Sequence, residues 1–327
     1  MRWSKVTSVG AMVCVAGILA GCQSAGRDGL ETASYPAETL EFAIPGGPGG
    51  GNDIMVRTLV RILEDEGLYG ETINPTNRQG AAGGTTAYQD LLAAAGDPYQ
   101  ISSTSSSFIT TPLVSEVGWT TASFTPVALL AQDDSLIVTK SGEGLDTWQD
   151  WVTHATANGS VTVGGIATGA DFVRQVSLAE QAGYEIDYVP FNEDGELING
   201  LLSDSVDAII ASPGDIVGQV EAGNFEAILW TGPHPLADLP DVPSANAAGL
   251  HGLPGTPRGL ILPPGVPAEV VAWWEQTIKI VVETEAWAVY LAENRLTADA
   301  RYGDDFGAFL AETSGEFERI MREHGAL

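Results

Sequence analysis

The stretch Ile44-Pro45-Gly46-Gly47-Pro48-Gly49-Gly50-Gly51-Asn52-Asp53 decides the fold. An apolar run, residues 40–44, leads into it. A helical pattern leaves it, with Ile54, Val56, Leu59, Val60 and Leu63 apolar and Arg57 and Arg61 one turn apart. The order is strand, glycine loop, helix. Gly49, Gly50 and Gly51 have no side chains, so a ligand can approach the backbone closely. The free N–H groups of the helix's first turn then point at that ligand, backed by the positive end of the dipole. Such a loop holds an anion without a lysine. It is not a dinucleotide fingerprint, because the last glycine of Gly-x-Gly-x-x-Gly is replaced by Asn52 or Ile54, depending on the starting glycine. It is not a P-loop either, since no Gly-Lys-Ser/Thr follows. The plain alternative is a glycine-rich turn with no ligand, against which stands the conformational entropy so many glycines cost.

Working outward, residues 1–21 read as a signal peptide, with Arg2 and Lys5 ahead of an apolar run too short to span a bilayer. Leu19-Ala20-Gly21-Cys22 is similar to a lipobox, in which Cys22 becomes the lipidated N-terminus; an ordinary signal peptide with a chance cysteine is the alternative. Cys14 leaves with the leader, so the mature chain forms no disulfide and rests on its core alone. Residues 22–38 are polar, aperiodic and read as a tether. The chain carries 14 basic and 43 acidic residues, a formal net charge of -29. Nucleic acid is excluded as a partner, because neutralising phosphates needs basic patches. The acidity does not exclude an anionic ligand. Beyond about 8–10 Å surface charge is screened, and local donors decide.

Further strand-to-helix junctions follow. Residues 71–74 read as a strand before a second glycine-rich turn, 77–84. Residues 100–103 form a third strand ending in Thr104-Ser105-Ser106-Ser107. Ser105 and Ser106 are placed to donate to a carboxylate, or to cap the next helix. Two apolar strands, 127–130 and 136–139, come next. The strand 161–163 then runs into Gly164-Gly165-Ile166-Ala167-Thr168-Gly169-Ala170 and a helix over 171–182. This repeats the opening design. Two such helix ends facing across a cleft suit a molecule with two or more carboxylates. The strand 206–211 ends at Ser212-Pro213-Gly214, a further junction. Arg258 is one of few cations in the body, with a surface salt bridge as its alternative role. Residues 267–284, 285–296 and 304–323 read as helices. Trp148, Trp151, Trp273, Trp274 and Trp287 are core anchors.

Six segments together resemble the solute-binding proteins of tripartite tricarboxylate transporters, the TctC/Bug family. They are Pro45 to Asp53 with Arg57; Asn77-Arg78-Gln79-Gly80-Ala81-Ala82-Gly83-Gly84; Val163 to Asp171; Tyr188-Val189-Pro190-Phe191; Leu239-Pro240-Asp241-Val242-Pro243; and Arg258-Gly259-Leu260 to Pro263-Pro264-Gly265. The resemblance implies an α/β, two-lobed periplasmic-binding-protein-like (type II) fold. Each lobe is a mixed sheet flanked by helices, and two crossing strands form the hinge. Domain 1 would comprise 39–130 and 231–327, and domain 2 would comprise 131–230. It also implies a small carboxylate in the cleft, two integral membrane subunits as partners, and a location outside the cytoplasm, lipid-anchored at the membrane's outer face or in the periplasm. Gly49, Gly50, Gly51, Asn52 and Asp53 would serve one lobe with Ser105, Ser106 and Arg258, and Ile166, Ala167, Thr168, Gly169, Ala170 and Ser212 the other. Asp53 cannot welcome a carboxylate directly; its expected task is to hold the glycine loop by accepting backbone N–H bonds, or to hold a water. Phe172 stands where the family often has histidine. Glycine at 46, where the dicarboxylate branch often has an aromatic residue, points toward citrate-like di- or tricarboxylates, with aromatic acids and amino acids as the alternatives.

Little suggests catalysis. No Gly-x-Ser-x-Gly elbow exists, and His154, His234, His251 and His324 are scattered without metal-ligand spacing. The expectation is a monomeric receptor, not an enzyme, with no cofactor and no metal. The alternatives are a carboxylate-binding sensory or accessory lipoprotein and a glycine-loop enzyme acting on a phosphorylated compound.

Overall fold

The computed structural model describes residues 35–80, 84–167 and 169–327. The leader, Cys22, most of the tether and Thr168 lie outside the described residues.

The chain builds β1 (Leu40–Ile44), α1 (Gly51–Asp65), β2 (Ile73–Asn77), α2 (Thr85–Ala93), β3 (Gln100–Ser103), α3 (Ser106–Val114) and β4 (Thr125–Asp133). Then follow β5 (Leu136–Lys140), α4 (Trp148–Asn158), β6 (Ser160–Ile166), α5 (Ala170–Ala182), β7 (Glu185–Phe191), α6 (Asp194–Leu202), β8 (Ala208–Ala211), α7 (Pro213–Glu221) and β9 (Phe225–Trp230). The last elements are β10 (Thr256–Leu262), α8 (Ala268–Val282), α9 (Glu285–Glu293), β11 (Thr297–Tyr302) and α10 (Gly303–Glu323). Among the described residues no helix is long and apolar enough to cross a membrane.

Two mixed sheets result, in the orders β11-β4-β10-β3-β1-β2 and β7-β6-β8-β5-β9. In the first, β2, β1 and β3 are parallel, and β10 and β11 run against their neighbours. In the second, β7, β6 and β8 are parallel, with β5 and β9 antiparallel. Each parallel trio belongs to three successive strand–helix units. Parallel neighbours need crossovers, so α1, α2 and α3 all begin at one edge of the first sheet. By the same logic α5, α6 and α7 begin at one edge of the second. That arrangement positions the site.

Alternation explains β1: Leu40, Phe42 and Ile44 are buried between less buried Glu41 and Ala43. The stripe Met55, Val56, Leu59, Ile62 and Leu63 lays α1 on this sheet beside Trp274 and Ile278 of α8 and Trp287 of α9. In the second sheet, Trp151, Val161, Val163, Leu178 and Ile210 form a separate core. The segment after β9 stays with that sheet, since Ala245 and Leu250 bury in the same cluster. The chain passes between the sheets after Asp133 and again ahead of Thr256.

Three local expectations change. The second strand is Ile73–Asn77, later than residues 71–74, because its register follows β1 from Leu40↔Ile73 to Ile44↔Asn77. Thr297–Tyr302, unassigned from the sequence, is the edge strand β11; its half-buried, charge-bearing Thr-Ala-Asp-Ala-Arg-Tyr carries a weak apolar signal. The sheets are also joined by more than the crossing strands. Ala170, Val173 and Val176 of α5 bury against Phe317, Ile320 and Met321 of α10.

Candidate functional site

The first glycine loop is braced from inside. Gly49 takes φ +79°, which glycine tolerates and other residues resist. Its N–H donates to Asp53 Oδ2 at 2.9 Å. Asp53 Oδ1 accepts from Arg57 Nε at 2.8 Å and from Asn77 Nδ2 at 3.0 Å. Asn77 Nδ2 also donates to the Gly46 carbonyl, 2.9 Å. Burial raises the Asp53 pKa, but the bonds from Gly49, Asn77 and Arg57 outweigh it and hold the carboxyl below its ordinary value. Asp53 is thus spent on the loop. The first bond from the body of α1 runs from Ile54 N–H to the Gly50 carbonyl. The amides of Gly51, Asn52 and Asp53 therefore precede the helical ladder and have no backbone partner. Asn52 is buried, and its Oδ1 has no hydrogen-bond partner.

The second loop repeats the device. Asp171, in the first turn of α5, accepts from Ile166 N–H at 2.9 Å, and Tyr188 Oη donates to the Ile166 carbonyl at 3.1 Å. Ala167 N–H is taken by the Phe191 carbonyl, 2.8 Å. Ile166 and Ala167 therefore spend their amides on structure. The first α5 bond is Val173 N–H to the Gly169 carbonyl, so the amides of Ala170 and Asp171 precede that ladder. Burial raises the Asp171 pKa, against the pull of Arg174 and the Ile166 bond. Phe172 packs edge-on to Tyr188, 5.2 Å between ring centres, and has no polar role.

Contacts link the two loops. The Arg258 guanidinium lies over Gly51, where an added Cβ would stand 2.5 Å from Nη2. Arg258 is 12% exposed and pairs with Asp133 at the end of β4, so the surface salt bridge expected as its alternative gives way to a mostly buried one. Its Nε is buried without an acceptor. The Asp133 carbonyl in turn accepts from Arg174 Nη2 of α5, 3.3 Å. Arg174 also donates to Ser135 Oγ at 2.5 Å and to the Pro254 carbonyl at 2.9 Å. On the other side, Gly169 lies against Thr110 of α3 and Met321 of α10. The structure thus brings the start of α1, Arg258, Asp133 and the start of α5 into one neighbourhood, with α3 alongside.

Ser105 stands at the N-cap of α3, yet its hydroxyl caps nothing; it bonds Tyr88 Oη at 3.1 Å and Ser107 Oγ at 2.7 Å. Ser106 is half-buried in the first turn of the same helix. Ser212 is the exposed N-cap of α7, on the edge that carries the second loop. Asp133, Asn77 and Arg174 were not singled out from the sequence. No local motif marks Asp133 or Arg174, which meet only through tertiary contact. Asp171 was legible by analogy, since it repeats Asp53 one loop later. Concavities of about 610 Å³ between α1 and α9 and about 270 Å³ beside Asp134 include no residue of either glycine loop.

Comparison with known proteins agrees with this architecture. The sequence is 23% identical over 325 residues to Protein BugT of Bordetella pertussis, covering 97% of this chain and 96% of that one. In structure it resembles a TctC solute-binding protein from Polaromonas, with TM-score 0.77, 20% identity, and coverage of 88% of this chain and 99% of that chain. It also resembles an R. palustris protein solved with adipate, with TM-score 0.69, 20% identity, and coverage of 89% and 98%. At such identities these structures speak for the fold: two lobes of the periplasmic-binding-protein kind. The family described as the tripartite tricarboxylate transporter family receptor matches residues 67–326. With that match spanning most of its length, the chain belongs to the tripartite tricarboxylate transporter receptor family, a family of solute-binding proteins and not of enzymes.

Proposed function

We propose that the protein is the extracytoplasmic solute receptor of a tripartite tricarboxylate transporter, and that it captures a small organic acid between its two sheets. One observation carries this reading. Asp53 braces the first glycine loop so that the amides of Gly51, Asn52 and Asp53 are left over at a helix N-terminus, beside the Arg258 guanidinium. A carboxylate there meets backbone donors and a positive dipole end. Ser106, Gly169, Ala170 and Ser212 would complete the enclosure on closure, driven by contacts that exist only when both lobes touch the ligand.

The glycine at 46 and the adipate-bound neighbour favour a di- or tricarboxylate of the citrate kind. The lipobox-like Leu19-Ala20-Gly21-Cys22 supports an exported lipoprotein anchored through Cys22, delivering its ligand as a monomer to the two membrane subunits. We place the hinge at Asp133–Leu136 and ahead of Thr256, with residues 231–253 riding on the second sheet. The test is a thermal-shift panel of organic acids and nucleotides on the full chain. An acid at 100-fold over its Kd gains about 2.7 kcal/mol of stability. Stabilisation by nucleotides and by no acid would refute the receptor.

A further inference from the structure

Away from the two glycine loops, one surface combines exposed apolar side chains with unpaired charge. Ile54 of α1 is 40% exposed and Val289 of α9 is 46% exposed, two of the six large apolar side chains exposed among the described residues. They come from distant parts of the chain yet line one groove of about 610 Å³ between the two helices. Ile62 and Tyr290, both buried, also line it. On α1 the groove follows Ile54, Thr58, Arg61 and Asp65, one face of the helix, and on α9 it follows Ala286, Val289 and Glu293. A single exposed apolar side chain needs no explanation. Two that converge in a polar-rimmed groove mark an interaction surface.

The rim decides what fits. Asp65 and Glu66 stand at the end of α1, and Glu285 and Glu293 at the two ends of α9. None of these four forms an ion pair among the described residues. Against them the groove holds one cation, Arg61. A second copy of this chain seated on the same face would set carboxylate against carboxylate, and an anionic lipid surface would be repelled as well. A basic segment that carries an apolar side chain matches both the floor and the rim. The groove also reaches the first glycine loop from outside. Ile54 follows Asp53, and its N–H opens the α1 ladder. Burial pushes the Tyr290 phenol up to about 12, while the neighbouring Arg258 acts on it in the opposite sense. Arg258 in turn lies over Gly51.

We propose that the α1–α9 groove is the surface on which a membrane subunit of the transporter docks, through an extracytoplasmic segment that carries an apolar side chain flanked by Lys or Arg. The inference rests on the receptor reading above and adds a contact surface to it. The apolar side chain lies between Ile54 and Val289, and the basic ones meet Asp65, Glu66, Glu285 and Glu293. A partner seated there touches the first turn of α1 and the Tyr290 ring, so docking and capture act on the same helix. Outer loops of membrane proteins are poor in Lys and Arg, so such a segment stands out in the partner's own sequence.

The test uses the full chain and the two membrane subunits of its transporter, reconstituted in nanodiscs of neutral phosphatidylcholine. D65K/E293K reverses two exposed rim charges, each in the last turn of its helix, where a cation suits the dipole and the fold is kept. Its affinity for the nanodiscs, read by interferometry, should fall at least about tenfold, and the gap should shrink as salt is raised. D146K/E221K, which reverses two exposed charges on the second lobe, should bind as wild type does. A benzoylphenylalanine photocrosslinker placed at Val289 should capture a membrane subunit, and one at Ile280 or Leu202, also exposed, should not. An equal loss in D146K/E221K reduces the effect to net charge and overturns the inference. So does capture from Ile280 or Leu202 without capture from Val289, and both results leave the receptor standing. Failure of the subunits to bind at all also overturns it; the receptor reading falls too only if no organic acid stabilises the chain.

Discussion

Asp53→Asn makes the brace of the first loop measurable. The side chain accepts three bonds, from Gly49 N–H, Arg57 Nε and Asn77 Nδ2, at 2.8–3.0 Å. All three donors compete for two oxygens of one buried carboxylate. An asparagine offers a single acceptor oxygen and turns an N–H₂ toward at least one donor. Bonds to a charged group contribute about 1.5–3 kcal/mol each, and an orphaned buried donor costs about 1–3. Arg57 is half exposed, so its share is discounted toward the value of a surface pair. The expected loss is about 3 kcal/mol at neutral pH, a fall in Tm of roughly 4–5 °C for a chain of this size. Scanning calorimetry with urea titration is the assay. The pH dependence follows from the lowered pKa of Asp53. Its contribution is fully present above the unfolded carboxyl value, about 3.9, and is lost as pH falls through the lower folded value. The wild-type and D53N curves should therefore converge below about pH 4. A Tm change of under about 1 °C at pH 7, or a gap that persists into acid, would refute Asp53 as the brace.

Other substitutions separate the roles of neighbouring residues. Asp171→Asn should cost under about 1 kcal/mol at pH 7 by the same urea titration, because burial already disfavours the Asp171 charge and the amide relieves it. The raised folded pKa means that the cost of the Asp171 charge disappears as pH falls through that value toward the unfolded carboxyl value, so the deficit of D171N relative to wild type should widen in acid. Gly51→Ala puts a Cβ 2.5 Å from Arg258 Nη2 and must displace a mostly buried guanidinium paired with Asp133, so a loss of about 1–3 kcal/mol in urea unfolding is expected, with ligand affinity by calorimetry dropping at least about tenfold. Arg174→Met removes three bonds from a 2%-exposed guanidinium and strands the Asp133 and Pro254 carbonyls; a loss of about 3–5 kcal/mol in denaturant unfolding is expected.

Much of this molecule is local and hence readable in one dimension. Strand, glycine loop and helix recur at 40–65 and 160–182 because period, glycine content and the first-turn aspartate all act within a few residues. From these the α/β class, the two loops and the task of Asp53 followed directly. The strand Thr297–Tyr302 did not, since an edge strand with half-buried faces has no apolar alternation to display. Nor did the packing of α5 on α10, because Val173 and Ile320 advertise only that each is buried, not against what.

By itself, the sequence determined where the two strand, glycine loop and helix junctions lie, because glycine spacing and helix starts are settled by flanking residues; which amides of the second loop stay unpaired was decided by the fold, since Ala167 N–H goes to the Phe191 carbonyl of the neighbouring strand. Which charged side chains become neighbours was decided only by the tertiary structure. Parallel pairing places Asp171, Asp194 and Asp215, far apart in the chain, along a single sheet edge, and folding spends Arg258 on Asp133 beside Gly51. Electrostatic energy depends on distance through space, and a net charge of -29 read along the chain holds no record of which charges end up side by side.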